Sequence, residues 1–282
     1  MVSADSMQIY KYMNIGTAKV RPEETCGIPH HMVDILDPAE SFSVARYVEM
    51  ADKCVQDILA RGKLPIVVGG TGLYIDSLIS GRSFGDGAQD SALRTELEAE
   101  YDALGGEEML KRLYEFDPQR AEKLHPSDKK RILRAFEVYR LTGQTITAHD
   151  EKTKLIPPRY SAMTVILSYR EREKLYARID RRVDEMVQAG LFSEVDSLLK
   201  SGVPEKSTAI QAIGYKEVVL ALKGEISDDE AIDLIKRESR RYAKRQLTWL
   251  SRNKTALRIF WEDLPDIVYA RQLSTDCFHS LG

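Results

Sequence analysis

Three short apolar runs stand out along the chain, at residues 64–68, 163–167 and 257–261. Each has about the length of an ordinary strand. Continuous runs of this kind, unlike alternating ones, are typical of parallel strands that are covered on both faces. We therefore expect 64–68 and 163–167 to be buried parallel strands and 257–261 to be the last strand.

Helical stripes flank the first of these runs. Apolar side chains recur at helical spacing over residues 44–59, and Gly62 suits the position just past a helix C-terminus. After the run, two glycines mark a tight turn, and 73–79 suits a short helix that ends at Gly81. Helix, strand, glycine turn and helix in succession indicate an α/β fold with crossover connections.

Between residues 85 and 158 the helical stripes continue, but no strand-like run occurs. Asp117 followed by proline fits a helix N-cap with proline at the first helical position. A further stripe over 132–139 ends before Gly143. This segment is therefore predicted to be entirely helical.

The change of pattern predicts two domains. We expect an α/β core made of 1–84 and 159–282, and a helical insertion of 85–158 that begins with a loop at 85–87. In the second part of the core, one amphipathic helix ends near Gly190. The next is capped by Asp228 or Asp229 and has an apolar stripe of Ile232, Ile235, Tyr242 and Trp249.

Composition excludes several classes of protein. The chain has 282 residues, a formal net charge of −3 and 43% hydrophobic residues, which are ordinary values for a globular protein. No apolar run approaches the roughly 18 residues of a membrane span, and the first residues do not have the pattern of a signal peptide. We expect a cytoplasmic protein with no membrane segment.

The cysteines and histidines do not indicate a metal site or a disulfide framework. Cys26, Cys54 and Cys277 are far apart, and no CxxC pair occurs. His30 and His31 are adjacent, so their side chains point in different directions, and we expect them to be hydrogen-bonded structural residues.

The cationic residues are concentrated in two segments. Residues 236–258 contain nine lysines and arginines and a single acid, Glu238. A second cluster lies within 129–140. Such clusters are typical of polyanion binding, although solvated helix faces have the same pattern.

Two short segments have the residue types of a ligand site. Asp5 follows the strand-like Val2, and open α/β sheets bind ligands at the carboxyl ends of their strands. The alternative is that Asp5 caps a turn or a helix. The turn 69–72 contains three glycines and Thr71, and it is either an anion or base site or a plain strand-to-helix turn.

A cationic segment lies on the last long helix. Arg240 and Lys244 are four residues apart and project from one face, and Arg241 and Arg245 do the same. This arrangement suits two phosphate-bearing ligands, such as a diphosphate and a nucleic-acid backbone.

Six motifs together resemble the bacterial tRNA dimethylallyltransferases. In the order of that family, they are SADSMQIY at residues 3–10, IGTAK at 15–19, GIPHH at 27–31, GGTGLY at 69–74, GY at 214–215 and AKRQLTW at 243–249. The resemblance runs from residue 1 to about 262. It implies a P-loop-NTPase-like α/β core with a helical insertion that grips the anticodon stem-loop of tRNA.

The resemblance also implies roles for residues at matching positions. Asp5 matches the general base, and Thr71 matches a threonine beside it in the reaction channel. The implied tRNA-binding residues are Asp5, Ser6, Met7, Gln8, Lys130, Arg131, Ile132, Leu133, Arg134, Gly214, Tyr215 and Lys216. The implied diphosphate-binding residues are Arg240, Lys244 and Arg245.

The implied reaction transfers a dimethylallyl group from dimethylallyl diphosphate to N6 of adenosine 37 in tRNA and releases diphosphate. Mg²⁺ is the implied cofactor, and we expect a monomer. In this family a strand, a phosphate-binding loop and a helix precede the SADSMQIY motif, but no GxxxxGKS or GxxxxGKT sequence occurs in the 282 residues. We therefore expect a chain that lacks that unit, through a misplaced start or a truncation.

Two alternatives remain open at this point. One is a tRNA-binding fragment with impaired catalysis, because the expected phosphate-binding loop is missing. The other is an adenylate isopentenyltransferase, which performs the same chemistry on a free nucleotide. The cations at 129–134 in the insertion favour tRNA over a free nucleotide.

Overall fold

The computed structural model describes residues 1–81, 91–262 and 264–279. The predicted loop at 85–87 and the predicted boundary after residue 84 lie outside these ranges. Contacts within the chain define two compact units. One consists of Met1–Ile79 with Ser161–Gly282, and the other is Ser80–Tyr160.

The described residues contain four strands, eleven helices and a short 3₁₀ turn at Pro22–Thr25. In chain order they are β1 (Val2–Ser3), α1 (Val44–Ala60), β2 (Val67–Val68), α2 (Gly72–Ser80), α3 (Ser91–Phe116), α4 (Pro118–Ala121), α5 (Lys129–Thr142), α6 (Ile146–Lys154), β3 (Val165–Tyr169), α7 (Arg172–Gln188), α8 (Leu191–Lys200), α9 (Tyr215–Leu222), α10 (Asp228–Leu250), β4 (Leu257–Trp261) and α11 (Ile267–His279). None of these helices is both long enough and apolar enough to cross a membrane.

The strands of the first unit pair in parallel, as an α/β fold requires. β1 pairs with β2, with Val2 opposite Val67. β3 pairs with β4 over five residues, from Val165 opposite Leu257 to Tyr169 opposite Trp261. The predicted α/β class with parallel strands is confirmed, and so are the helices on either side of β2.

The prediction that the first two runs are buried strands is wrong in part. Ile66 and Val68 are about half exposed, at 51% and 48%, and Leu167 in β3 is 54% exposed. Within the described residues β2, β3 and β4 each pair along one edge, whereas β1 also forms a parallel bridge with His31 on its other side. Apolar side chains of these strands therefore remain in contact with solvent.

Helix α1 packs its apolar face against the start of the chain. Tyr47, on that face, is 1% exposed and donates its hydroxyl to the carbonyl oxygen of Ser3 at 3.1 Å. Its ring stacks on that of Tyr74 in α2, with ring centroids 4.0 Å apart. The last residue of β1, two positions before Asp5, is thereby anchored to α1, and α1 in turn packs on α2.

The second unit has an apolar core of its own, built from α3, α4 and α5. Its fully buried members include Leu97, Met109, Leu113, Ile132 and Leu133. Asp117 caps α4 as predicted, because its carboxylate accepts the N–H of Arg120 at 3.2 Å. Gly143 ends α5 in the left-handed conformation, with φ of 69°.

Two features of the first unit differ from expectation. Ser227 caps α10 in place of Asp228 or Asp229: its hydroxyl accepts the N–H of Glu230, whose carboxylate accepts the N–H of Ser227. The Ser-x-x-Glu spacing is the signature of this capping box. Helix α11, which follows β4, was not predicted.

Candidate active site

Asp5 lies at the carboxyl end of β1. The preceding residue, Ala4, donates its N–H to the carbonyl oxygen of Val68 at 2.7 Å, which continues the pairing with β2. Oδ1 of Asp5 accepts the N–H groups of Met7 at 2.7 Å and Gln8 at 3.2 Å. The carboxylate therefore caps the turn that follows the strand, and this leaves Oδ2 without a hydrogen bond from any described residue.

Thr71 lies directly beside this turn, although 65 residues separate it from Ser6. Its N–H binds the carbonyl oxygen of Ala4 at 3.1 Å. Its hydroxyl accepts the N–H of Ser6 at 3.1 Å and is 3.3 Å from the Ser6 hydroxyl. The structure thus brings Asp5, Ser6 and Thr71 together at adjacent strand ends.

The glycines around Thr71 permit close approach of backbone and helix. A Cβ on Gly69 would lie 2.3 Å from the backbone carbon of Ala4. A Cβ on Gly72 would lie 2.3 Å from the Trp249 ring in α10. Real Cβ atoms do not tolerate such distances, so the small residues are needed for β1, the turn and α10 to pack at one point.

Tyr242 joins this group, although the sequence analysis treated it only as part of an apolar stripe. Burial raises the pKa of its phenol, the negative charge of Asp5 raises it further, and a hydrogen bond with the Thr71 side chain opposes both effects. Tyr242 and Gln246 are four residues apart in α10, so both face the turn that contains Thr71.

Arg182 in α7 is a second residue that the sequence analysis did not identify. The residue is exposed, but partial desolvation lowers the pKa of its guanidinium, and the nearby Asp5 carboxylate opposes that effect. The charge pattern of α7 did not distinguish it, because Arg178 and Arg181 lie on the same helix. Its position depends on how α7 packs against α10, which a local pattern does not encode.

The three predicted diphosphate-binding residues differ in how their charges are paired. Arg240 donates to Asp180 of α7 at 2.5 Å. Lys244 and Arg245 form no ion pair with a described residue, and the Arg245 guanidinium lies 5.5 Å from the centre of the Tyr242 ring. The charges of Lys244 and Arg245 are therefore available to an anion.

The segment at Gly214, Tyr215 and Lys216 presents one accessible side chain. Gly214 has φ of 97° and donates its N–H to Glu217 at 2.8 Å. The Tyr215 side chain is fully buried and donates its hydroxyl to Glu194 at 2.6 Å. The Lys216 side chain is 41% exposed, so it alone of the three extends a charge toward solvent.

In the helical unit, the predicted tRNA-binding residues of α5 form two groups. Lys130, Arg131 and Arg134 are exposed. Ile132 and Leu133 are fully buried in the core of the unit. Their side chains support the helix, and the three cations are the ones that can reach a ligand.

No group of three or more His, Cys, Asp or Glu side chains in the described ranges is arranged to hold a metal ion. Nδ1 of His30 lies 2.8 Å from the carbonyl oxygen of Ile28, within hydrogen-bond distance. A cavity of about 410 Å³ is lined by His30, His31, Lys53 and Cys54, together with apolar side chains. Burial raises the pKa of the Cys54 thiol, which keeps it protonated at neutral pH.

Comparisons with known proteins agree on one family. A family model described as IPP transferase matches residues 8–254. The tRNA dimethylallyltransferase of Acetivibrio thermocellus is 48% identical over 261 residues, which cover 93% of this chain and 82% of that protein. The tRNA dimethylallyltransferase of Halalkalibacterium halodurans is 44% identical over 276 residues, or 97% of this chain and 85% of that protein.

Solved structures give the same result. The full-length tRNA isopentenylpyrophosphate transferase of Bacillus halodurans is 40% identical, with a TM-score of 0.72 over 99% of this chain and 87% of that one. A eukaryotic dimethylallyltransferase, described as acting on tRNA, is 28% identical, with a TM-score of 0.78 over 99% of this chain and 72% of that one.

Proposed function

This chain belongs to the IPP transferase family, and from that premise we propose that it transfers the dimethylallyl group of dimethylallyl diphosphate to N6 of adenosine 37 in tRNA and releases diphosphate. The family and its P-loop-like α/β fold are the ones that the sequence motifs predicted. Transfer of a dimethylallyl group to tRNA is the activity named for its relatives.

The observation that carries the proposed mechanism is the environment of Asp5. The exocyclic amine of adenine is a poor nucleophile, because its lone pair is delocalised into the ring. As the bond from N6 to the allylic carbon forms, the bond from that carbon to the diphosphate oxygen breaks, and its electron pair leaves with diphosphate. The N6 proton passes to Asp5, whose Oδ1 is held by two N–H groups and whose Oδ2 is open.

Cations near Asp5 suit the leaving group. The charge that grows on diphosphate needs positive partners that are already in place. Lys244 and Arg245 are not neutralised by described acids, and Arg182 lies close enough to Asp5 for their charges to interact. Arg240 contributes through its pair with Asp180, which fixes α10 against α7.

The described residues do not by themselves fit Mg²⁺. This ion prefers six oxygen ligands in near-ideal octahedral geometry. Near Thr71 the described residues supply one carboxylate, Asp5, and one of its oxygens already accepts two N–H groups. The cofactor predicted from the resemblance therefore stays a prediction, and the steps above use side chains of this chain only.

The tRNA would be held through its phosphates. Lys130, Arg131 and Arg134 on α5 are exposed cations, and Lys216 in α9 has a side chain that is 41% exposed. Such cations are of the kind that bind a nucleic-acid backbone. Swinging the adenosine out of its stack costs a few kcal/mol, and these contacts offset that cost. A monomer acting in the cytoplasm is part of the same proposal.

Replacement of Asp5 tests the mechanism. Asp5→Ala should lower kcat by about 10²- to 10⁴-fold, the usual range for loss of a general base, while binding of tRNA changes little. The assay follows labelled dimethylallyl diphosphate into tRNA, with AMP as a matched alternative acceptor. Unchanged turnover would reject Asp5 as the base, and preferential transfer to AMP would favour an adenylate isopentenyltransferase.

A further inference from the structure

The carboxylate of Glu194, in α8, is surrounded by backbone N–H groups from the beginning of the chain. Oε2 accepts the N–H groups of Asn14 and Ile15, both at 2.8 Å, and Oε1 accepts that of Gly16 at 3.2 Å. Three successive N–H groups that point at one carboxylate form an anion-binding nest. The anion here is a side chain that lies about 180 residues further along the chain than the N–H groups that bind it.

Tyr215 completes this site and fixes its position. Its hydroxyl donates to Oε1 of Glu194 at 2.6 Å. A Cβ on Gly16 would lie 2.4 Å from the Tyr215 ring, so the loop lies against the ring with no room for a side chain. Burial and the neighbouring Glu194 charge both raise the pKa of Tyr215, which therefore remains a neutral donor.

The loop that Glu194 holds also holds Gln8. Nε2 of Gln8 donates to the carbonyl oxygens of Thr17 at 3.2 Å and Ala18 at 3.3 Å. The backbone N–H of Gln8 is one of the two groups that bind Oδ1 of Asp5. A continuous series of direct contacts therefore runs from Glu194, through the loop, to the carboxylate at the candidate active site.

We propose that Glu194 is a positioning residue for Asp5: its carboxylate orders residues 14–18, which fix Gln8 and so fix the orientation of the Asp5 carboxylate toward the acceptor nucleoside. This inference rests on the proposed function of Asp5. It goes beyond that function in assigning a role in the reaction to α8, which carries none of the predicted site residues.

Glu194→Gln keeps the size of the side chain but leaves one strong acceptor oxygen for three N–H groups and a hydroxyl. Because misplacement of a reacting group by about 1 Å can cost about 10²-fold in rate, kcat at saturating substrates should fall by about 10- to 100-fold. The KM for tRNA should change much less.

Asp117→Asn provides a matched control for a merely structural loss. The Asp117 carboxylate is 1% exposed and, like that of Glu194, accepts both backbone N–H groups and a hydroxyl. Its donors are the N–H groups of Arg120 and Thr147 and the Thr147 hydroxyl. It lies in the helical unit and has no assigned role at Asp5. Asp117→Asn should lower the Tm while leaving kcat within about twofold at a temperature well below that Tm.

A double-mutant cycle with Gln8→Leu tests the route of the effect. If Glu194 acts through the loop and Gln8, the two substitutions together should lower kcat little more than the stronger one alone. Effects that multiply, or an unchanged kcat in Glu194→Gln, would overturn the inference. If Glu194→Gln does not fold, Glu194→Asp, which retains the charge on a shorter side chain, takes its place in the same cycle.

The outcomes also separate this inference from the proposed function. An inactive Asp5→Ala variant combined with a normal kcat in Glu194→Gln would reject the positioning role only. An active Asp5→Ala variant would reject the proposed base, whatever the result at Glu194.

Discussion

The side-chain amide of Gln246 donates a hydrogen bond of 3.0 Å to the carbonyl oxygen of Gly70 and occupies the space that a side chain at position 70 would need. This contact joins α10 to the glycine turn beside Thr71. Lys244 and Arg245 precede Gln246 directly in α10, so the contact also fixes how far these cations lie from the turn. The glycine turn therefore lies next to Asp5 and is also the point at which α10, the helix that carries these cations, packs.

Alanine at two adjacent glycines should have unequal effects. At position 70 the added Cβ meets the end of the flexible Gln246 side chain, which can move away at the cost of one hydrogen bond, or about 1 kcal/mol. At position 69 it meets the backbone of Ala4, which cannot move without disturbing β1. Gly69→Ala should thus lower the free energy of unfolding, measured by urea denaturation, more than Gly70→Ala does. Equal losses would contradict the packing described for this turn.

Substitutions along α10 should separate ligand binding from stability. Lys244→Ala and Arg245→Ala each remove a cation that is not paired with a described acid, so the KM for dimethylallyl diphosphate should rise by about tenfold or more, on the scale of a charge-assisted hydrogen bond. Arg240→Ala breaks the pair with Asp180, and because both side chains are about one-third exposed, the loss of stability should be at most about 1 kcal/mol.

Asp180→Asn is the control for that comparison, because it weakens the same pair without removing a cation from α10. It should reproduce the stability change of Arg240→Ala and leave the KM for dimethylallyl diphosphate unchanged. A raised KM in Asp180→Asn, or a normal KM in Lys244→Ala, would argue against diphosphate binding by Lys244 and a stabilising role for the pair of Arg240 with Asp180.

Exposed and buried positions of α5 should respond differently to substitution. Lys130→Ala and Arg134→Ala should weaken tRNA binding and reduce the slope of log affinity against log salt concentration by about 0.7–0.9 per lost phosphate contact. Ile132→Ala should instead destabilise the helical unit by about 2–5 kcal/mol, because it opens a cavity in its core. Filter binding over a salt series and thermal unfolding would measure the two effects. Salt slopes that are the same in wild type and Lys130→Ala would exclude a phosphate contact there.

The free energy of unfolding should fall at alkaline pH because of Tyr74, whose ring stacks on that of Tyr47. Burial raises the pKa of Tyr74 to about 12, above its ordinary value of about 10. Since the folded state holds the proton more tightly, this contribution to stability is complete below about pH 10 and is lost as the pH rises toward 12. The free energy of unfolding, measured between pH 9 and 11.5, should fall less steeply in Tyr74→Phe than in wild type. Identical slopes would mean that the pKa of Tyr74 is the same in the folded and the unfolded state.

Local sequence patterns predicted the parts of the site that are set by strand ends and turns. Asp5 and Thr71 follow two strands that pair in parallel, and the carboxyl ends of such strands meet at one edge. The dual behaviour of Asp5 was also foreseen as two alternatives, since its Oδ1 caps a turn while Oδ2 remains open.

What the patterns did not predict depends on packing between distant helices. Tyr242 was assigned to an apolar stripe, and Glu194 was not singled out. Each reaches its position near the candidate site only when α10 packs over the glycine turn or α8 packs against residues 14–16. The exposure of Ile66 and Val68 was missed for a similar reason: an apolar run does not specify how many neighbours its strand has.

The partial exposure of Asp5 has a consequence for repeated turnover. In the mechanism that we propose, each transfer leaves one proton on this carboxyl group, and the next acceptor cannot react until that proton has been discharged. Because the side chain is in contact with bulk water once the modified tRNA departs, the discharge requires no relay of protein groups. The recovery of the enzyme between cycles is thus tied to product departure, and a slowly dissociating tRNA would delay it.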